Sequence, residues 1–269
     1  MPRGALLSAA CQAWPLPVKR RFAQRNGNPA MTPDTCRQAA ITLASRRLSG
    51  SRGPLLAAEL APATLDDALA IQQAVSELLG NAIGGWKCGL PDAERKVVAP
   101  IYASTVSDGD TCHAWVRDGM VKVEPELAFV FAEGLPPRAT PYSEAEILAA
   151  ISQVRLALEL IDSRFDAEPK PPFLQSLADG LVNQGLHLGP AVAIDAARAA
   201  STLALRVQQG ERDDTLAGAH PAGQPLAPLL WLVQHLQAGG QGILPGQAVI
   251  TGSYAGVLLL QPGVPASLQ

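Results

Sequence analysis

At Gly80 the hydrophobic period of this chain changes from 3.6 to 2, and that change limits the folds open to it. Before it, "MTPDTCRQAAITLASRRLSG" offers Thr32 as an N-cap and Pro33 at the first helical position, which predicts a helix up to the Ser/Gly-rich break at 49–53. "TLDDALAIQQAVSELLG" predicts a second helix. Thr64 caps it, Asp66 and Asp67 sit at its positive end, and Leu65, Ala68, Leu69, Gln72, Val75 and Leu79 form one stripe. Beyond Gly80, "GGWKCGL", "VKVEPELAFVF", "VRLALELI", "GLHLGPAVAI", "TLALRVQQG" and "QAVITGSYAGVLLLQPG" read as strands between Gly/Pro turns. Two helices interrupt them: "SEAEILAAISQV", with Ser143 and Glu146 in capping-box spacing, and "PLAPLLWLVQHLQAGG", stopped by Gly239 and Gly240. Helices first and a strand-dominated body afterwards predict an α+β fold, not a doubly wound sheet.

With 48% hydrophobic and 17% charged residues, the chain can bury a substantial core. No apolar run reaches the roughly 18 residues of a spanning helix, so no membrane insertion is expected. A net charge of −3 without a basic stripe in the body excludes the footprint of a nucleic-acid binder and favours a small-molecule partner. Cys11, Cys36, Cys88 and Cys112 make no CxxC pair, which predicts a reducing, cytoplasmic setting. Residues 1–30 hold Arg3, Lys19, Arg20, Arg21 and Arg25 with no acid, and read as a disordered basic leader or as a start assigned too early, with Met31 the true one. Removing those five cations leaves residues 31–269 at −8, distinctly acidic. Residues 31–80 read as an N-terminal helical segment and 81–269 as a β-rich catalytic domain.

Within "VKVEPELAFVF", Glu124 and Glu126 share one side of the strand while Val123, Pro125, Leu127 and Phe129 take the other. Two neighbouring carboxylates repel, so in a dry site one must be protonated, paired or metal-bound. Glu159, in "RLALELIDSRF", is a third acid in an apolar alternating strand. Two readings stand. Three acids on adjacent strands would make an oxygen cage for Mg²⁺ or Mn²⁺. Alternatively, Glu124 and Glu126 occupy a solvated face and Glu159 pairs with Arg155 or Arg164. Zinc is disfavoured, because His113, His187, His220 and His235 show no ligand spacing.

"GWKCGLP", "VEPELAFVF", "ALELIDSRF", "LADGLVNQGLHLG" and "VITGSYAGVLLLQPG", in this order, resemble the 2-keto-4-pentenoate hydratase family. With the oxalocrotonate decarboxylases, that family forms part of the fumarylacetoacetate hydrolase superfamily. The resemblance spans residues 35–269, and the Glu-x-Glu strand followed by a single Glu is its most specific part. It implies a mixed β-sheet sandwich or roll with flanking helices, like the C-terminal domain of that superfamily. It also implies Glu124, Glu126 and Glu159 as ligands of Mg²⁺ or Mn²⁺, Lys87 and Asp179 as catalytic residues, and Thr251 as a substrate contact; Arg164, which follows the Glu159 strand, is a further candidate for binding the substrate carboxylate. The implied substrate is a small 2-oxo or 2-hydroxy-dienoate acid from aromatic meta-cleavage, and the implied assembly a homo-oligomer, with a pathway decarboxylase as a further partner.

Three departures bear on the activity. The loop that follows the lysine strand in the family holds an acid, where this chain reads "VVAPIYAS", with Asp92 and Glu94 earlier. Asp179 is followed by Gly180 where the family has Asn, leaving Asn183 as a substitute amide. The family continues past "QPGVPASLQ" through another strand, so an unpaired sheet edge is expected. The expected activity is hydration of 2-hydroxypenta-2,4-dienoate. A 2-oxo-dioate decarboxylase and a non-catalytic partner of such an enzyme are the alternatives. Among the enzyme readings an acylpyruvate hydrolase ranks third, since such enzymes commonly need a His-Glu dyad for which His113 is a poor stand-in. Arg164 equally fits a structural ion pair, and Thr251 an ordinary turn hydroxyl. His187 and Cys88 read as structural.

Overall fold

A computed structural model describes residues 31–269, so the leader lies outside the described residues. Helix α1 (Pro33–Ser49) starts where Thr32 and Thr35 close a reciprocal capping box, and Gly50 ends it in a left-handed conformation. Helix α2 (Leu65–Leu79) repeats the device with Thr64, Asp67 and Gly80. The alanines of α1 permit close approach: Ala39, Ala40 and Leu43 pack against Ala68, Ile71 and Val75 of α2, with Phe165 and Leu177 beneath them. Among the described residues no helix is long and apolar enough to cross a membrane.

The body follows as β1 (Ile83–Cys88), β2 (Val98–Tyr102), β3 (Val106–Ser107), β4 (Val121–Phe131), α3 (Glu144–Ala149), β5 (Ile151–Ile161), α4 (Phe173–Ala178), β6 (Asn183–Val192), α5 (Ile194–Arg198), β7 (Thr202–Gln209), β8 (Arg212–Ala219), α6 (Leu226–Ala238), β9 (Ala248–Ile250), β10 (Leu258–Leu260) and β11 (Ala266–Leu268). The large sheet is mixed, in the order β2-β1-β9-β4-β5-β6-β3, with β10 also on β4. It curls until β2 meets β6, giving a nearly closed wall. Ile101, Ala128, Leu186 and Ile250 cluster on its inner face. On its outer face Trp86, Phe129, Phe131 and Val249 pack against Leu229 and Leu232 of α6. Truncating a fully buried phenylalanine such as Phe129 costs about 3–5 kcal/mol. A smaller sheet, β11-β7-β8, lays Leu205 and Val207 over Val123 and Leu160.

The α+β class expected from the sequence is found, with differences in detail. "VVAPIYAS" is not a loop: it contains β2, antiparallel to β1 and buried along its length. The helix expected over "SEAEILAAISQV" stops at Ala149, because Ile151 and Val154 pair with Phe131 and Phe129 in the β4–β5 ladder. Strand β8 and helices α4 and α5 have no counterpart in the expectation.

One edge of β4 is shared between two short strands. Strand β9 pairs with Ala128–Val130 and β10 with Val121–Val123, so residues 124–127 have no ladder partner on that side. Proline lacks an N–H and is tolerated where none is needed. Pro125 occupies this gap, and its carbonyl accepts from Tyr254 N at 3.0 Å.

Candidate active site

The β4–β5 register sets Glu124 directly opposite Glu159, and Glu126 opposite Ala157, all on the inner face of the sheet. One carboxylate oxygen from each glutamate lies within 4.8 Å of the other two. Glu159 is fully buried, Glu126 nearly so, and Glu124 only partly. Lys87 enters from β1, in a row with Ile250 and Ala128. The curl of the sheet brings its Nζ to both Glu159 oxygens, at 2.7 and 2.8 Å, and to the Leu181 carbonyl at 3.1 Å. Asn183 Nδ2 donates to Glu159 Oε1 at 2.8 Å. The Gly252 amide donates to Glu126 Oε2 at 2.7 Å. The partners proposed for Glu159 in the solvated-face reading lie elsewhere: Arg155 donates to the Gly189 and Leu188 carbonyls, and Arg164 to Asp179.

Electrostatics agree with this crowding. Burial, and then the charge of Glu159, push Glu126 up to about 8. The same two causes raise Glu124. Burial pulls the Lys87 ammonium down, but contact with Glu159 outweighs it and the net shift is upward. Three carboxylates thus face one ammonium, and each like-charge pair at such separations costs roughly 3–4 kcal/mol at an effective dielectric near 20. A divalent cation would cancel the excess. The donors are hard oxygens, as Mg²⁺ and Mn²⁺ require. Asn183 Oδ1, beside this cluster, is a buried acceptor without a protein partner. The residues present therefore fit a hard divalent ion.

A strained turn delivers two of these contacts. Gly180, Leu181 and Val182 have φ of 86°, 52° and 58°, a region disfavoured for leucine and more so for β-branched valine. Such conformations cost about 1–3 kcal/mol each and persist where the surroundings enforce them. Here Asp162 N donates to the Val182 carbonyl at 2.9 Å, and the turn presents the Leu181 carbonyl to Lys87 and Asn183 to Glu159.

Other candidate residues are placed as follows. Arg164 and Asp179 meet each other: Arg164 Nε lies 2.6 Å from Asp179 Oδ1 in a buried pair, and the guanidinium also donates to the carbonyls of Asp162, Asn183 and Asp179. Arg47 adds bonds to the Asp179 and Asn183 carbonyls. None of these three groups makes a described hydrogen bond or ion pair with the glutamates or with Lys87; together they hold segment 179–183 behind them. Thr251 is buried, with Oγ1 3.2 Å from His220 Nε2. Asp92 accepts from the amides of Glu94 and Arg95 in an exposed loop. Asn183, Gly252 and Leu181 lie outside the spacing argument, which concerns ionisable side chains, whereas two of these three contacts come from the main chain.

No family model matches the chain. It is 26% identical over 246 residues to the 2-keto-4-pentenoate hydratase of Paraburkholderia xenovorans (strain LB400), covering 87% of this chain and 90% of that protein. The 2-keto-4-pentenoate hydratase 3 of Pseudomonas putida matches to the same extent. Among solved structures, 4-oxalocrotonate decarboxylase from Pseudomonas putida G7, complexed with magnesium and adipate, superposes with a TM-score of 0.71 at 20% identity, over 90% of this chain and 95% of its own. That likeness shows a shared fold. The resemblance carried by the motifs is thus found along nearly the whole chain.

Proposed function

We propose that this chain is a metal-dependent lyase that hydrates 2-hydroxypenta-2,4-dienoate or a close relative to a 4-hydroxy-2-oxo acid, in a cytoplasmic aromatic-degradation route. The observation that supports it most is the convergence of Glu124, Glu126 and Glu159 within 4.8 Å, with Lys87 Nζ 2.7 Å from Glu159. These three residues would hold one Mg²⁺ or Mn²⁺. When bound, that ion supplies Lewis acidity for the enolate form of a chelating 2-oxo acid.

The chain's own groups supply the rest. Lys87, held at 2.7 Å by Glu159, which shifts it upward, acts as a cation and donor toward a carboxylate or oxyanion. Asn183 and the Gly252 amide orient Glu159 and Glu126. Ile101, Leu186 and Ile250 keep the inner face apolar, which strengthens every charge interaction within it. In the reaction the 2-hydroxyl loses its proton as C5 gains one; water oxygen then adds at C4 and a proton at C3.

One observation favours the second reading, decarboxylation of a 2-oxo-dioate. The inner positions of β2 are Ala99 and Ile101, both fully buried, so this wall offers no carboxylate to activate water. Decarboxylation needs no attacking water. Purified protein with Mg²⁺ should be given the dienoate and, separately, 2-oxo-3-hexenedioate. Loss of diene absorbance without CO₂ supports the hydratase, and CO₂ release the decarboxylase. Turnover of neither, with no binding of Mn²⁺, overturns both in favour of a non-catalytic partner. The proposal includes a homo-oligomer, which light scattering tests.

A further inference from the structure

The small sheet β11-β7-β8 supplies none of the carboxylates, yet the segment leaving β8 reaches the metal-binding candidates through a buried side chain. His220 follows Ala219, the last residue of β8, and is almost fully buried. Its ring has a fixed assignment. The Ala222 amide donates to Nδ1 at 3.2 Å, so Nδ1 is an acceptor and the ring proton sits on Nε2. Nε2 therefore donates to Thr251 Oγ1, 3.2 Å away. The Tyr254 ring stands edge-on to the imidazole, with centroids 5.3 Å apart. Protonating Nδ1 would set an N–H against the Ala222 N–H, and burial holds the imidazole below its ordinary value. The ring is a neutral, oriented donor.

What it orients is the turn after β9. Gly252 adopts φ 141°, and a Cβ there would meet Pro221 Cγ at 2.6 Å and His220 Nε2 at 3.4 Å, so the His220–Pro221 corner lies directly against it. That glycine donates its amide to Glu126 Oε2 at 2.7 Å. Glu126 is one of the two buried acids of the cage, and this amide is the one described hydrogen bond that fixes its carboxylate. Without the donor, Glu126 would face Glu124 and Glu159 with nothing to set its rotamer.

We propose that His220 is a positioning residue of the carboxylate centre: by donating from Nε2 to Thr251 it locks the turn that holds the Gly252 amide on Glu126, and so preorganises the site for a divalent cation. This rests on the metal-site reading given above. Groups that orient ligands in this way typically change metal affinity by about 10- to 100-fold when removed. Thr251 is then the recipient of the lock, not a substrate contact.

The test is Mn²⁺ binding to the full chain, read by calorimetry and by the electron paramagnetic resonance of free Mn²⁺, so no turnover is needed. Wild type, His220→Ala, Thr251→Val, the double variant and Thr251→Ser are compared, each with its urea midpoint. His220→Ala and Thr251→Val should each weaken Mn²⁺ about tenfold or more. The double variant should be no weaker than either single one, and Thr251→Ser, which keeps the acceptor oxygen, should bind as wild type does. Unchanged affinity in His220→Ala or Thr251→Val, or losses that multiply in the double variant, would overturn the proposal while leaving the metal site intact. A wild type that binds no Mn²⁺ would overturn the metal-site reading, and this inference with it. If His220→Ala does not fold, Thr251→Val and Thr251→Ser decide on their own.

Discussion

Lys87 and Glu159 are 72 positions apart and three strands apart in the sheet, yet Nζ lies 2.7 Å from Oε1 and 2.8 Å from Oε2. Only the curl of the sheet makes that contact, since neighbouring strands in a flat one stand about 4.8 Å apart. Breaking a buried pair leaves the other charge uncompensated, at about 3–5 kcal/mol. Glu159→Gln should therefore lower the unfolding free energy of metal-free protein by up to that much, read from its urea transition, since Glu126 and Glu124 still face Lys87. Glu124→Gln, at the partly exposed position, should leave it unchanged or raise it, because a repulsion is relieved. Equal losses in the two variants would contradict the arrangement.

Metal-dependent turnover separates the same variants differently. Glu124→Gln, Glu126→Gln and Glu159→Gln should each abolish it, and weaken Mn²⁺ binding beyond detection at millimolar ion. Retained activity in Glu124→Gln would remove that residue from the cage.

Stability without metal should fall as pH rises. Glu126 is pushed up to about 8 from an ordinary 4.5, mainly by burial and next by Glu159. Between those values the folded state holds a proton that the unfolded state has released, so this contribution is complete below 4.5 and lost as pH passes about 8. Glu124 shifts in the same direction. Urea midpoints in EDTA across this range should decline, and Glu126→Gln should flatten the curve. A midpoint that rises with pH in wild type and not in the variant would refute the assignment.

Saturating Mn²⁺ should reverse the effect. At 100 times Kd, binding to the folded state alone contributes about 2.7 kcal/mol. For a domain of this size that is roughly 5–10 °C in Tm. Thermal melts with and without EDTA measure it.

Arg164 offers a test of a role against a place. Its guanidinium is buried against Asp179 and three carbonyls. Arg164→Met should destabilise the fold by about 3–5 kcal/mol by stranding Asp179. A variant with unchanged urea midpoint and a selectively raised KM would instead place Arg164 on the substrate.

Strand parity made the site legible in part. Glu124 and Glu126 share a face in any strand, and Glu159 stood out as an acid among leucines, but their meeting depended on a register that spacing does not encode. Lys87 had no local signal and came from the resemblance alone. Strand β2 escaped because Pro100 interrupts its pattern; as an edge strand bonded only to β1 it tolerates the missing N–H. Strand β8, "RDDTLAGA", lies mostly exposed and so lacks apolar alternation, though Gly210, at φ 58°, marks its hairpin turn. His220 gave no sign, because its importance lies in a tautomer fixed by a neighbouring amide.

The split partner of β4 has a mechanical corollary. Where residues 124–127 lack a ladder neighbour, two of the three acids sit beside a seam in the wall, with Pro125 unable to stitch it shut. Segment 251–257 lies across that seam as a pinned patch: the Gly252 and Tyr254 amides bind Glu126 and Pro125, Thr251 meets His220, and the buried Tyr254 ring donates its hydroxyl to the Ala200 carbonyl. The patch therefore closes the wall in place of a ladder strand, so the Gly252 and Tyr254 amides should exchange slowly, as those of β5 do, and His220→Ala should speed exchange at Gly252 while β5 stays protected.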